Sequence, residues 1–529
     1  MKTYFRILAC LVLAFLSLSG VQSASAEKGN VLVLALDARD LQTLDPHMSV
    51  GFMDRYVVDM IYNGLLRCQP GDMKKIEPDL AKSYEISTDG KTWTFHLRKG
   101  VYFHPFRGQP NGHEMTSEDV VFSLKRAQNK ETCAGAGSMQ FYEVTAIDKY
   151  TVQINMTKIV PEPDRHFINY PPGSGFIVSK RAVKTLGGEF KNQPVGTGPF
   201  MFEKYRPGEK LTLKAHTKYF RGTPKLGGIE VRYMPDVNSR IFGLESGELH
   251  VVEGVREEVW VKRAEKVKNA VVDVIGPGEP MYIFFNISKP PLDDIRIRQA
   301  IAYGINRDTL VKFLGSSVAK STCSPIPPFL SSGMTCEEVA KLGLDYAYNP
   351  EKAKSLLQEA GKQKGLEVLM FVSEHAAYLN PMTNLKEQLR NIGVDVKFNV
   401  VDHATWHKMI RSDASQIVPY SPLRPGPDVY FTQFYHSSST VVSGKSPITN
   451  FSHYKGIDEK IERARSSVKR ENTIMNWREA QIQILKDAVS LPLYIQDFVW
   501  ARSKSVDWGH PLKWTLALYP QVTENTTIK

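Results

Sequence analysis

Cysteine is scarce in this chain, with five residues in 529, and the first of them, Cys10, falls inside an N-terminal apolar run. Long apolar stretches are scarcer still. The run from Ile7 to Leu18 is about a dozen residues where a spanning helix needs roughly 20, and no later stretch is apolar enough to cross a membrane. No internal repeat and no low-complexity tract is present. The signatures of catalysis are missing too. There is no G-x-S-x-G nucleophile elbow and no H-E-x-x-H helix, and Gly444-Lys445-Ser446 lacks the upstream glycine of a phosphate loop. An enzyme is therefore not expected. His403 and His407 stand four apart on a helix predicted to open near Asp402, but no third ligand follows at a telling spacing, so neither a metal site nor a cofactor is expected.

What is present begins at the N-terminus. Lys2 and Arg6 precede the apolar run, and Ala24-Ser25-Ala26 supplies small residues for cleavage, which is the layout of a secretory signal peptide. Cleavage after Ala26 predicts a soluble exported protein. Most of the apolar run follows Cys10, which argues against a lipid anchor. Removing Lys2 and Arg6 from 67 Lys and Arg, against 56 Asp and Glu, leaves a formal charge of +9. The bases are scattered over helix faces, as at Lys262, Arg263, Lys266 and Lys268, without the patch and interleaved aromatics of a nucleic-acid surface. No nucleic-acid partner is expected.

Four cysteines remain after cleavage, in a compartment that permits disulfides. Cys323 and Cys336 flank the short loop CSPIPPFLSSGMTC, where a bridge would be worth roughly 3 kcal/mol in loop entropy. Cys68 and Cys133 are then expected to pair by elimination.

About 500 mature residues exceed one hydrophobic core, so at least two lobes are expected. The first half reads as mixed α and β. Val31 to Leu36 suits a buried strand, Trp93, Phe95 and Leu97 alternate with polar residues, and Thr116 with Asp119 opens a helix in the manner of a capping box. Asp293-Asp294 marks another helix start. In the second half, Val368 to Val372, the helical spacing of Leu379, Met382, Leu385, Leu389 and Ile392, and the alternation of Val394, Val396, Phe398 and Val400 predict a βαβ unit. The whole is expected to be α/β.

These residues carry a resemblance. EPDLAKSYEISTDGKTWTFHLRKGVYFH from Glu77, MTSEDVVFSLKR from Met115, PVGTGPF from Pro194, PLDDIRIRQAIAYGINRDTLV from Pro291, YNPEKAKSLLQEAG from Tyr348 and LPLYIQ from Leu491 resemble the family 5 solute-binding proteins, over nearly the whole mature chain and in order. The resemblance implies a two-lobed periplasmic-binding-protein fold of type II, in its large oligopeptide-binding class, with an extra subdomain in the first lobe. It implies lobe I over 27–280 with an insertion at about 60–185, lobe II over 281–495, and a return to lobe I over 496–529. Two strands would cross as a hinge near Met281 and Gln496. The implied location is the periplasm, and the implied function is a monomeric receptor that closes on a peptide-like or small polar or anionic solute and delivers it to an ABC permease in the inner membrane. The alternatives are a nickel complex, haem, an opine or sugar conjugate as ligand, or a ligand-presenting sensor.

The family pattern breaks where a peptide would be read. Peptide-binding members carry an aspartate for the ligand's amino group in the segment matching Tyr420 to Asp428. Here Leu423 takes that place and Arg424 follows. An unpaired ammonium buried against leucine is costly. Where dipeptide receptors hold the ligand carboxylate with an arginine, this chain has Ser373-Glu374-His375. A free dipeptide is thus a poor candidate. The ligand-binding residues expected from this comparison are Arg424, Leu423, Tyr420, Glu374 and His375, with His47 on the loop after the first strand and Tyr494 and Gln496 on the returning strand.

Overall fold

A computed structural model describes residues 30–49, 51–158, 160, 162–168, 175–424, 426–515 and 518–529. The signal peptide expected at residues 1–26 lies outside the described residues. Its backbone is a mixed sheet whose strand order runs Phe200–Arg206, Lys210–Ala215, Gly228–Tyr233, Val31–Leu36, Val251–Glu253, Ser490–Ser503, Ala270–Phe285 and Ile417–Tyr420, with Ala319–Ser321 added beside Ser490–Ser503. Val31–Leu36 lies parallel to both of its neighbours, and the other pairings are antiparallel.

Two strands of this sheet are long. Ala270–Phe285 and Ser490–Ser503 pair from Ala270 opposite Ser503 to Phe284 opposite Ser490, with their register interrupted between Ile275 and Glu279. The residues on either side of that interruption belong to different cores. Phe498, Trp500 and Ile275 pack with residues from Leu32 to Tyr233. Met281, Ile283, Leu491 and Tyr494 pack with residues up to Val396 and Ile417, and Tyr282, Phe284 and Ile495 join a third core to which Met73 and, half-buried, Cys68 contribute from early in the chain. The expected two-lobed α/β architecture is present.

Local rules explain the elements. In Thr92–Leu97 the alternating Trp93, Phe95 and Leu97 are buried in a four-stranded antiparallel sheet with Ala81–Ile86, Thr151–Met156 and Tyr142–Asp148. Each is worth roughly 2 kcal/mol of burial, and a slip of one residue would expose all three. The backbone N–H of Thr116 donates to Asp119 at 3.1 Å at the start of Ser117–Gln128. Asp294 and Asp402 accept from the N–H groups of Arg296 and Thr405, at 2.9 Å each, opening Ile295–Tyr303 and His403–Arg411. The predicted βαβ unit is Leu366–Ser373, Ala376–Arg390 and Val394–Val401, with its two strands parallel.

In PVGTGPF the glycines answer to proximity, where the motif alone suggests only a sharp turn. A Cβ on Gly196 would sit 2.0 Å from the carbonyl oxygen of Ile61, and one on Gly198 would sit 2.5 Å from the Ile61 carbonyl carbon. The Gly198 N–H donates to that same oxygen at 2.8 Å. This loop therefore seats the end of the helix Phe52–Ile61.

Cys323 and Cys336 are disulfide-bonded. The expected bridge between Cys68 and Cys133 is not formed, and this corrects the pairing by elimination. Cys68 lies on the strand Leu66–Gln69 with its thiol directed to the Met73 carbonyl, whereas Cys133 is buried in the turn after Ser117–Gln128, where its N–H donates to Asn129. Burial pushes both thiols up, Cys68 to about 12, so each stays a protonated apolar group.

Candidate functional site

Both lobes contribute to one cavity of about 850 Å³. From the first lobe come Phe52 and Arg55 on the helix Phe52–Ile61, Phe141 and Lys158 flanking the strand Thr151–Met156 and its neighbour, and Arg165 and His166 on the turn Pro163–His166. From the second come Leu423 and Arg424, then Asp428 and Gln433 on Pro427–Phe434, Arg465 on Asp458–Ser466, and Trp477 on Arg470–Lys486. Glu279 enters from the long strand just past its register interruption. A cavity of this size between two packed bodies suits a small organic ligand.

Its charges are unbalanced. Arg55, Lys158, Arg165, Arg424 and Arg465 face Glu162, Glu279 and Asp428 across the lining. Each acid is already engaged: Glu279 by Arg256 at 2.6 Å, Asp428 by Arg465 at 2.8 Å, and Glu162 by Arg470 at 3.0 Å. Arg424 is held by neutral groups. Its Nε donates to Gln433 at 2.6 Å, its Nη1 donates to the Leu423 carbonyl at 3.0 Å, and its guanidinium lies 5.3 Å from the Phe434 ring. Among the described residues no carboxylate pairs with it. His166 is neutral, because burial pushes its pKa down to about 4.

Arg165 Nη1 and Trp477 Nε1, both on lining residues, are buried without a partner among the described residues. The lobes also touch at the rim beside Arg165, where Glu162 accepts from Arg470 and, at 3.0 Å, from the Ser331 hydroxyl.

The residues singled out in the sequence fall in three places. Leu423 and Arg424 line the cavity. Tyr420 and Tyr494 are buried just behind it: Tyr420 packs its ring against Trp406, Phe434 and Phe451, and Tyr494 lies in the second-lobe core opposite Met281. Gln496 stands opposite Glu279 and donates to the Arg256 carbonyl at 2.9 Å. Glu374 and His375 are exposed, away from the cavity lining, with the His375 ring stacked 4.5 Å from His403. His47 is fully buried. Its Nδ1 accepts from Arg126 at 2.7 Å, which leaves Nε2–H to donate to the Phe176 carbonyl at 2.9 Å, and its own carbonyl accepts from the N–H of Ala134, a cavity residue. His47 thus supports the lining from behind.

Sequence reasoning missed Arg165, Trp477, Arg465 and Glu279. Arg165, Glu279 and the consecutive helices that carry Arg465 and Trp477 are far apart in the chain, and only the folded arrangement brings them to one cavity. Among the described residues no group of three His, Cys, Asp or Glu is placed to hold a metal ion, and no helix is long and apolar enough to cross a membrane.

The model of the bacterial extracellular solute-binding proteins, family 5 Middle, matches residues 75–441. The dipeptide-binding protein of Escherichia coli K12 is 27% identical over 461 residues, 82% of this chain and 83% of its own. Heme-binding protein A of Haemophilus influenzae is 28% identical over 459 residues, 82% of this chain and 81% of its own. Among solved structures, the binding protein MoaA of A. tumefaciens R10 in complex with mannopinic acid superposes with a TM-score of 0.78 at 36% identity, covering 95% of this chain and all of the other. A two-lobed α/β body, a ligand-sized cavity between its lobes and a family match across both of them lead to one conclusion: the chain belongs to the family 5 bacterial extracellular solute-binding proteins.

Proposed function

We propose that this protein is the capturing receptor of an ABC importer, exported to the periplasm after cleavage at Ala26, that closes as a monomer on a small anionic or hydroxyl-rich organic solute and presents it to an inner-membrane permease. Binding without chemical conversion is its role. The observation that carries the ligand class is the surplus of cations in the cavity: with Arg465 held by Asp428 and Glu462, four cations remain against Glu162 and Glu279, which Arg470 and Arg256 already engage from outside the lining. Leu423 in the cavity wall offers nothing to a buried ammonium, which disfavours a simple dipeptide. MoaA, at 36% identity, holds an acid, mannopinic acid, which is compatible with such a lining. In this reading lobe I spans 27–280 with its insertion at about 60–185, lobe II spans 281–495, and 496–529 return to the first. The long strands Ala270–Phe285 and Ser490–Ser503 then form the hinge.

Closure has a mechanical and a thermodynamic readout. Solution scattering should show a smaller radius of gyration at saturation than in the ligand-free protein, and a thermal-shift screen of peptides, opine-like acids and sugar acids should find the solute. A ligand at 100 times its Kd adds about 2.7 kcal/mol of stability. An unchanged radius with a solute that binds stoichiometrically would refute the trap.

A further inference from the structure

We propose that Arg165 and the indole N–H of Trp477 form an anion subsite in the cavity, one donor from each lobe, which takes a carboxylate or phosphate group of the solute. The inference deepens the receptor reading and rests on it. Trp477 is 1% exposed, lines the cavity, and stacks at 6.4 Å on Phe431 of the helix Pro427–Phe434. Its Nε1 has no partner among the described residues. An indole N–H can only donate, and leaving it buried and unpaired costs about 1–3 kcal/mol. A purely apolar side chain would not carry that cost.

Arg165 repeats the pattern from the opposite lobe. Its side chain is 12% exposed, its Nε lies a loose 3.4 Å from Glu162, and its Nη1 is buried without a partner among the described residues. Glu162 is shared, since Arg470 also donates to it at 3.0 Å. Asp164 also lies within charge range of Glu162, Arg165 and Arg470, so two carboxylates answer two guanidiniums here, and the positive surplus of the lining comes from Lys158 and Arg424. Two donor-only groups in a cationic surround match a ligand group that only accepts. An amine or ammonium set against these two donors would meet only N–H groups, which cannot accept from it. A planar guanidinium suits a carboxylate or phosphate oxygen in particular.

The test is calorimetry on the full mature protein with succinate, inorganic phosphate and mannopinic acid as anionic probes, and a neutral sugar and an alanine dipeptide as the others. Succinate against phosphate separates a carboxylate site from a phosphate site. The wild type should bind at least one anion. Arg165→Met should weaken that binding by tenfold or more, and Trp477→Phe, which keeps an aromatic ring but loses the N–H and part of the indole's volume, by about tenfold. Arg165→Lys should recover only part. Melting of the ligand-free variants checks the fold, and Trp477→Phe serves if Arg165→Met does not fold. The subsite is overturned if no anion binds the wild type, or if both variants bind it as the wild type does. If a neutral or cationic solute nonetheless compacts the protein in scattering, the subsite falls and the receptor reading stands. If no solute of any class compacts it, the receptor reading falls, while loss of anion binding in the variants remains readable by calorimetry.

Discussion

His47, His104 and His166 are held neutral in the folded protein, chiefly by burial, with pKa values pushed down to about 4, 3 and 4. Each would take up a proton in the unfolded chain near 6.5, so unfolding binds protons as pH falls below that value. Stability is therefore lost from about pH 6.5 downward, by roughly 2 kcal/mol per imidazole between pH 7 and pH 5. Glu253 acts in the opposite sense. Burial pushes its carboxyl up to about 7, so its contribution is full below the unfolded value and lost as pH rises through 7. One group offsets about one histidine, and the three imidazoles prevail. These four groups alone predict a net loss of about 4 kcal/mol at pH 5 relative to pH 7 in denaturant titrations; His407, whose pKa is also lowered to about 4, adds to it in the same sense, and His47→Asn should shrink it. An equal stability at both values would mean that these imidazoles are not buried neutral.

Elements formed by local rules were legible from the chain. The βαβ unit followed from a helical period between two strand-like runs, and the helices after Thr116, Asp294 and Asp402 followed from their capping residues. The Cys323 and Cys336 bridge followed from a short loop in an oxidising compartment. Pairing Cys68 with Cys133 failed because elimination carries no geometry. The lining of the cavity was half legible. Leu423 and Arg424 were reached through a family segment with its own order, but Arg165 and Trp477 sit in elements that meet only through lobe packing. Gly196 shows the same limit: the motif marks the position, and the nearby Ile61 carbonyl supplies the reason. Gly196→Ala would force its Cβ to 2.0 Å from that oxygen, inside a packed junction that cannot yield. A loss of about 3 kcal/mol or more is expected. A melting temperature within a degree or two of the wild type would show that the loop and the Phe52–Ile61 helix separate easily.

Across the whole molecule, the contact of Glu162 with Arg470 and Ser331 joins the lobes beside the cavity. Arg470 is 61% exposed, so the pair is worth at most about 1 kcal/mol and is screened by salt. Arg470→Ala should therefore quicken ligand release by no more than about fivefold at low ionic strength, and the difference should vanish near 1 M salt, where the screening length is about 3 Å. Stopped-flow release measured at both salt concentrations decides this. A large effect that survives high salt would mean that the rim holds the lobes through packing.

The division of the cavity's polar lining between two bodies also has a pharmacological consequence. A solute that touches Arg424 and Trp477 alone occupies one jaw and gives the other nothing to close on. In the proposed trap the receptor would act as a coincidence detector, and a fragment that answers only half of it would be an antagonist: it would fill the site, exclude the full solute and leave the mouth open.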